Sequence, residues 1–135
     1  MEEIVKICRE AGKTSKVIFE NCYLTDDEKR KVAEIAKEVK PDFIKTSTGK
    51  VPVNATPETV YVICEALRQF HAQTGKMVGI KVAGGITKIQ NAIRYLTIVK
   101  HILGEQWLTP AYFRIGTSQL LEDVLKEMKT VKING

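Results

Sequence analysis

The feature that most constrains the fold is an alternation of short apolar segments with amphipathic helical patterns along the chain. A helical pattern covers residues 2–11, and four strand–helix units follow it. The predicted strands are residues 16–20, a segment through Lys45, residues 77–83 and residues 112–116. No two-residue hairpin turn separates these segments, which favours parallel pairing. The order therefore predicts right-handed βαβ units and a parallel α/β sheet.

Local signals set the ends of the helices. Thr25 followed by Glu28 forms a capping box, and Thr56 precedes Pro57 as an N-cap. The later helices are predicted over residues 57–71, from residue 87 or 88 to 103, and over 118–128, and residues 129–135 are predicted to fray. The periodicity also predicts that apolar residues of the first and fourth helices face inward, among them Ile4, Ile7, Ile93 and Leu96.

Composition indicates one domain over residues 1–135 with a mildly basic surface. The chain has 21 Lys and Arg against 16 Asp and Glu, a formal net charge of +5. The charges are interspersed along helices, which argues against a nucleic-acid partner but fits a site for phosphorylated small molecules. No apolar run reaches membrane length and no signal-peptide core appears, so we expect no membrane partner and a cytoplasmic location. Three widely spaced cysteines predict reduced thiols and no metal site.

Three predicted strands each carry a lysine, namely Lys16, Lys45 and Lys81. Alternation places Phe43 and Lys45 on the face opposite Ile44. For a single strand, a lysine more often lays its stem on apolar surface while its ammonium reaches water. Lysines that converge on one face instead repel one another, which favours a neutral, nucleophilic amine able to form a Schiff base. The recurrence in three strands makes the Schiff-base site the preferred hypothesis.

Small and hydroxylated residues follow three of the strands. These segments are Ser47-Thr48-Gly49, Ala83-Gly84-Gly85 and Gly116-Thr117-Ser118. In parallel α/β proteins, loops at the carboxyl ends of strands lead into helix N-termini and bind phosphate. The glycines could equally serve tight turns alone, but the threefold recurrence favours a phosphate site.

Extended motifs around these residues resemble one family. Phe43-Ile44-Lys45-Thr46-Ser47-Thr48-Gly49-Lys50, followed by Val53-Asn54-Ala55-Thr56-Pro57, resembles the signature of deoxyribose-phosphate aldolase. Gly79-Ile80-Lys81-Val82-Ala83-Gly84-Gly85-Ile86 resembles the second lysine motif of that family, and Phe113-Arg114-Ile115-Gly116-Thr117-Ser118 its last phosphate-binding strand. The resemblance extends nearly from end to end of the chain.

The resemblance implies a class I aldolase on a β/α barrel that uses neither metal nor cofactor. Such enzymes cleave 2-deoxy-D-ribose 5-phosphate to glyceraldehyde 3-phosphate and acetaldehyde. It further implies that Lys45 forms the Schiff base, that Lys81 lies beside Lys45 and favours its neutral form, and that Lys16 lines the pocket. The residues expected to hold the substrate phosphate are Thr48, Gly49, Lys50, Gly84, Gly85, Thr117 and Ser118.

The resemblance covers only half of a (β/α)8 TIM barrel, namely the helix after the fourth strand and strands five to eight. It implies that an aspartate on the fourth strand works in a proton relay, and Glu20 is a candidate substitute for it in this chain. We expect two open sheet edges, paired by a complementary N-terminal half-barrel or by further copies in a homodimer or larger homo-oligomer. The alternative is a non-catalytic half-barrel or self-associating scaffold that keeps only the fold and the phosphate-binding loops.

Overall fold

The computed structural model describes residues 1–51 and 53–133, in which five helices alternate with four strands. The helices are α1 (Glu2–Glu10), α2 (Asp26–Val39), α3 (Pro57–Thr74), α4 (Ile89–Leu103) and α5 (Leu120–Ile133). The strands are β1 (Lys16–Ile18), β2 (Phe43–Lys45), β3 (Gly79–Ala83) and β4 (Phe113–Gly116). Short 3-10 turns lie at Asn21–Tyr23 and Glu105–Trp107.

The strands form one parallel sheet whose spatial order, β1-β2-β3-β4, follows the order of the chain. Lys16 pairs with Phe43, Lys45 with Lys81, and Lys81 with Arg114. Residues paired in this way point to the same face of a sheet, so all of these side chains share one face. The predicted α/β half-barrel with four parallel βα units is confirmed. Within the described residues, β1 and β4 have no neighbouring strand on their outer sides.

The opposite face of the sheet packs against the helices and forms the core. Ile44, Ile80 and Val82 are fully buried there and join Ile63 and Val99 in one apolar cluster. Burying a side chain of this size contributes about 1.5–3 kcal/mol. The cluster therefore fixes which alternate residues of each strand face the helices and which face the other side.

The predicted starts of α2 and α3 are confirmed by their caps. The Thr25 hydroxyl accepts from the Glu28 amide at 3.3 Å, and the Glu28 carboxylate accepts from the Thr25 amide at 2.8 Å. The backbone N–H of Thr25 thereby holds the pKa of Glu28 below its ordinary value. At α3, the Thr56 hydroxyl accepts from the Thr59 amide at 3.2 Å, just before Pro57. Each cap satisfies an amide that the first helical turn leaves without a partner.

The predicted inward faces of α1 and α4 are wrong in part. Ile4 and Ile7 of α1 are 66% and 62% exposed, and Ile93 and Leu96 of α4 are 52% and 38% exposed. An amphipathic stripe shows that a helix has an apolar side but not how much of that side its neighbours cover. Helix α1 precedes β1, which lies at the edge of the sheet, and among the described residues of α1 only Val5 is buried.

The last helix also differs from its prediction at both ends. It begins at Leu120 rather than Ser118, because the Thr117 hydroxyl accepts from the amides of Gln119 and Leu120 and caps the helix. It continues to Ile133 instead of fraying after Met128, since residues 129–133 contain neither glycine nor proline. Residues 134 and 135, which belong to the predicted frayed tail, lie outside the described residues.

Candidate active site

A cavity of about 260 Å³ opens where β2, β3 and β4 end. It is lined by Lys45 and Lys81 and by the strand ends and the loops after them, which contribute residues 48–50, 83–87 and 116–118. The carboxyl ends of parallel strands lie at the same edge of a sheet, so the loops after them converge. The structure therefore brings together all of the residues predicted for the site except Lys16 and the candidate relay residue Glu20.

Lys45 and Lys81 are register partners on neighbouring strands. Both side chains are half-buried and line the cavity, and the exposed Lys50 lines it as well. Neighbouring strands lie about 4.8 Å apart, so the two strand lysines extend side by side. No carboxylate belongs to the described residues that line the cavity. The cavity is thus positively charged and suited to an anion.

The glycine at position 116 leaves room for the Lys81 side chain. A Cβ atom built there would lie 2.9 Å from Lys81 Cε and 2.9 Å from Ala83 Cβ. Contacts this short do not occur between real side chains without displacement. Gly116 therefore determines where the Lys81 stem passes on its way into the cavity.

Thr46 joins the two lysine strands beyond their regular ladder. Its hydroxyl accepts from the Ala83 amide at 3.0 Å and donates to the Ala83 carbonyl at 3.2 Å. The Thr46 amide donates to the Lys81 carbonyl at 3.1 Å. Thr46 is fully buried, so these bonds have little competition from water. Sequence reasoning missed this residue, because its partner lies 37 positions away.

The loop after β3 packs tightly against the loop after β2. Gly84 has a φ of 95°, and a Cβ atom there would lie 2.3 Å from Asn54 Cβ. Asn54 is itself held by its amide group, which donates to the Val51 carbonyl at 2.8 Å. Gly84 is therefore required both by its backbone conformation and by the close approach of Asn54.

Glu20 lies beside the loop after β2 but not among the residues that line the cavity. Its carboxylate oxygens are 3.1 and 3.2 Å from the Thr48 amide nitrogen. The Thr48 hydroxyl in turn accepts from the Lys50 amide at 3.3 Å. Glu20 thus holds the loop through its backbone, and its role in a proton relay stays a prediction.

Lys16 does not reach the cavity, although it shares the face of the other lysines. It pairs with Phe43, two residues before the level of Lys45, which corresponds to about 6–7 Å along a strand. Lys16 Nζ lies 5.6 Å from the centre of the Phe43 ring, and the Arg114 guanidinium lies 4.4 Å from it. Phe43 is only 2% exposed. The structure thus places Lys16 over an aromatic ring and not among the residues that line the cavity, and its part in the site stays a prediction.

Sequence reasoning also missed Arg114. Its alternation with Gly116 places it on the face of Lys81, and this signal could have been read from the strand itself. The guanidinium donates from Nε to the Pro110 carbonyl at 2.8 Å and covers the Phe43 ring. Arg114 therefore packs on Phe43, which precedes Lys45 by two residues on the same face of the sheet.

An ion pair anchors α5 beside the loop after β3. Asp123 accepts from the Ile89 amide at 2.9 Å and from Lys88 Nζ at 3.0 Å. The Ile89 amide and then Lys88 hold the pKa of Asp123 below its ordinary value. Lys88 is thereby engaged outside the cavity, next to the lining residue Thr87.

Within residues 1–51 and 53–133, no three His, Cys, Asp or Glu side chains come together as a metal site. Over the same part of the chain, no helix has the length and apolar character that crossing a membrane requires.

The chain has relatives of known family. The DeoC/LacD family of aldolases matches residues 1–106. A Caenorhabditis elegans protein, provisionally named a deoxyribose-phosphate aldolase, is 58% identical over 85 residues. Those residues are 63% of this chain and 28% of that protein.

Solved aldolase structures match the fold over nearly the whole chain. The aldolase QR15 matches with a TM-score of 0.73 and 32% identity over 98% of this chain and 52% of its own. A provisionally named deoxyribose-phosphate aldolase from Toxoplasma gondii ME49 matches with a TM-score of 0.79 and 26% identity, over 96% of this chain and 49% of its own. The tetrameric deoxyribose phosphate aldolase of Aeropyrum pernix matches with a TM-score of 0.67 and 25% identity, over 96% and 47%.

The chain spans about half the length of these solved structures and 28% of the Caenorhabditis elegans protein. Its four parallel strands correspond to part of their barrels. The match over residues 1–106, joined to this fold, identifies the family. The chain belongs to the DeoC/LacD family of aldolases.

Proposed function

We propose that the cavity carries out the reversible retro-aldol cleavage of 2-deoxy-D-ribose 5-phosphate through a Schiff base on Lys45. The pairing of Lys45 with Lys81 at the mouth of a cationic, glycine-rich cavity carries this proposal. A Schiff base forms when a lysine amine attacks a carbonyl, and the register of β2 and β3 places Lys45 beside Lys81 in the cavity. The names of the relatives support the same substrate.

The steps of the proposed reaction follow from the need for a group that accepts the electron pair of the broken carbon–carbon bond. The Lys45 amine attacks the C1 aldehyde carbon, and loss of water gives an iminium ion. Removal of the C3 hydroxyl proton then breaks the C2–C3 bond, whose electron pair flows into the iminium and forms an enamine. Glyceraldehyde 3-phosphate leaves, the enamine is protonated at C2, and hydrolysis releases acetaldehyde and restores Lys45.

The substrate phosphate would be held by the three loops. Lys50 would supply a charge, and the backbone amides of Gly49 and Gly85 would supply donors at the ends of the strands. The Gly84 amide already donates to the Gly116 carbonyl at 3.4 Å, so Gly84 would contribute through its close packing in the loop. The loop after β4 would add Thr117 and Ser118. Such contacts act by orientation, because they hold the aldehyde carbon at the amine without taking part in bond breaking.

The group that accepts the C3 proton would come from whatever covers the open face of the sheet. That face carries Lys45, Lys81 and Arg114 in register and Lys16 two residues before them, and its described strand residues include no carboxylate. Two copies stacked through this face would oppose cation with cation. The charge thus favours a complementary N-terminal half-barrel that brings carboxylates, while homo-oligomers would form through other surfaces.

Free thiols at Cys8, Cys22 and Cys64 support a cytoplasmic location.

The test is trapping of the Schiff base. The chain is incubated with 2-deoxyribose 5-phosphate and borohydride, and the intact mass is measured for wild type, Lys45→Ala and Lys16→Ala. We expect a covalent adduct on wild type and on Lys16→Ala, because Lys16 lies outside the cavity, and none on Lys45→Ala. Absence of an adduct on wild type at millimolar substrate would refute iminium formation by this chain alone.

A second candidate is a non-catalytic half-barrel that retains the fold and the phosphate-binding loops. The observation that favours it is the lack of any carboxylate among the described residues lining the cavity. On this alternative, inorganic phosphate binds but borohydride traps nothing. The two readouts together distinguish it from the aldolase.

A further inference from the structure

The loop of residues 48–50 contributes three adjacent lining residues and one of the three lysines of the cavity. All three residues are exposed, so packing contributes little to their placement. Gly49 has a φ of 87° and open space around its missing side chain. A segment with these properties needs polar contacts to keep a single conformation.

Glu20 supplies such a contact from the loop after β1. Both carboxylate oxygens lie within hydrogen-bond distance of the Thr48 amide, at 3.1 and 3.2 Å. Glu20 has a φ of 50° and a ψ of 61°, a left-handed conformation that is strained for a residue with a side chain. A charge-assisted bond to a backbone amide is stronger than a neutral one and can offset this strain.

A second hydrogen bond links Thr48 to Lys50, the cationic residue of the loop. The Thr48 hydroxyl accepts from the Lys50 amide, so the backbone of Lys50 is fixed relative to that of Thr48. Because the Thr48 amide already donates to the Glu20 carboxylate, it is not available to an anion. Thr48 can offer a phosphate only its hydroxyl, and the remaining donors of the loop are the Gly49 amide and the Lys50 ammonium group.

We propose that Glu20 is a positioning residue that fixes the loop of residues 48–50 in the conformation that binds the substrate phosphate. This inference rests on the phosphate site of the proposed function. It differs from a proton-relay role, because the carboxylate is directed at a backbone amide and does not line the cavity.

Binding of inorganic phosphate, measured by isothermal titration calorimetry at low ionic strength, tests the proposal on wild type, Glu20→Ala and Glu20→Gln. Loss of one charge-assisted bond predicts that Glu20→Ala binds phosphate about tenfold more weakly. Glu20→Gln keeps an oxygen that accepts from the Thr48 amide and should stay within about threefold of wild type. Glu38→Ala makes the same charge change at the exposed end of α2, before β2 begins, and should leave binding unchanged.

Hydrogen exchange at the Thr48 amide gives a second readout that needs no ligand. It should be slow in wild type and Glu20→Gln and faster in Glu20→Ala, with the core amides of β3 unaffected. Equal or tighter phosphate binding by Glu20→Ala would overturn the positioning role. Tighter binding by both Glu20 variants would show that the carboxylate acts only by repelling the anion. No binding by wild type would refute the phosphate site itself, a failure separate from that of Glu20.

Discussion

The Thr46 hydroxyl offers a direct test of how the two lysine strands are joined. Replacing Thr46 with Val keeps the shape of the side chain and exchanges the hydroxyl for a methyl group. The change removes both bonds to Ala83, at 3.0 and 3.2 Å, and leaves the bond from the Thr46 amide to the Lys81 carbonyl intact. The perturbation is therefore confined to one side-chain atom.

The expected cost follows from burial. Thr46 is fully buried and Ala83 is 4% exposed, so water does not readily replace the lost partner. A hydrogen bond contributes about 0.5–1.5 kcal/mol net, and a buried donor left without a partner costs about 1–3 kcal/mol. The extra apolar area of valine offsets part of this. We expect Thr46→Val to lower the free energy of unfolding by about 2 kcal/mol.

Urea denaturation followed by circular dichroism measures this loss. With a slope of about 1–3 kcal/mol per molar urea for small proteins, the midpoint should fall by roughly 1 M. Thr46→Ser is the matched control, because it keeps the hydroxyl and loses one methyl group, at a cost of about 1 kcal/mol. If Thr46→Val were within about 0.5 kcal/mol of wild type, or more stable than Thr46→Ser, the hydroxyl would not join the strands as described.

Two further changes test the site and the core. Gly116→Ala should displace Lys81, since the new Cβ would lie 2.9 Å from Lys81 Cε; we expect less borohydride-trapped adduct with an unchanged circular dichroism spectrum, and an equal yield would contradict this. Burial raises the pKa of Cys64 to about 12, so at about pH 8.5 iodoacetamide should label Cys8 and Cys22 but not Cys64 until urea is added. Because this pKa lies above its ordinary value of 9.0, the unfolded chain releases the proton first, and the stability from the neutral thiol is lost as pH rises from 9 to 12. Between pH 9 and 12, the urea midpoint of Cys64→Ala should therefore fall less than that of wild type. An equally steep fall would contradict the assignment of this loss of stability to the Cys64 thiol.

The sequence predicts the cavity because a few local rules determine it. Parallel strands end at the same edge, so the residues after β2, β3 and β4 meet without any knowledge of the helices. Alternation within each strand allows Lys45 and Lys81 to share one face. That the two are direct neighbours follows from the register of β2 and β3, which the structure supplies.

The position of Lys16 needs more than alternation. Sharing a face does not fix the level of a residue along the strand, because register depends on how the sheet packs on its helices. Lys16 lies two residues below Lys45 and covers Phe43 together with Arg114. The partners of Thr46 and Glu20 are 37 and 28 residues away, and no pattern within one segment reveals such contacts. Periodicity likewise predicts that the apolar residues of α1 belong to the core. It shows which residues share a face of the helix, but not whether other described residues cover that face.

In the reaction proposed for this cavity, binding and bond breaking would be separable for a structural reason. All the residues that line the cavity come from three consecutive βα units, and their supports, Glu20, Thr46 and Gly116, lie in the same sheet or its loops. This chain alone therefore supplies Lys45 and the loops that are proposed to hold the phosphate. The acceptor of the C3 proton is different, because no described carboxylate lines the cavity. Phosphate binding with an iminium on Lys45 but slow carbon–carbon cleavage would follow directly from this division, and addition of a carboxylate-bearing half-barrel should accelerate only the cleavage.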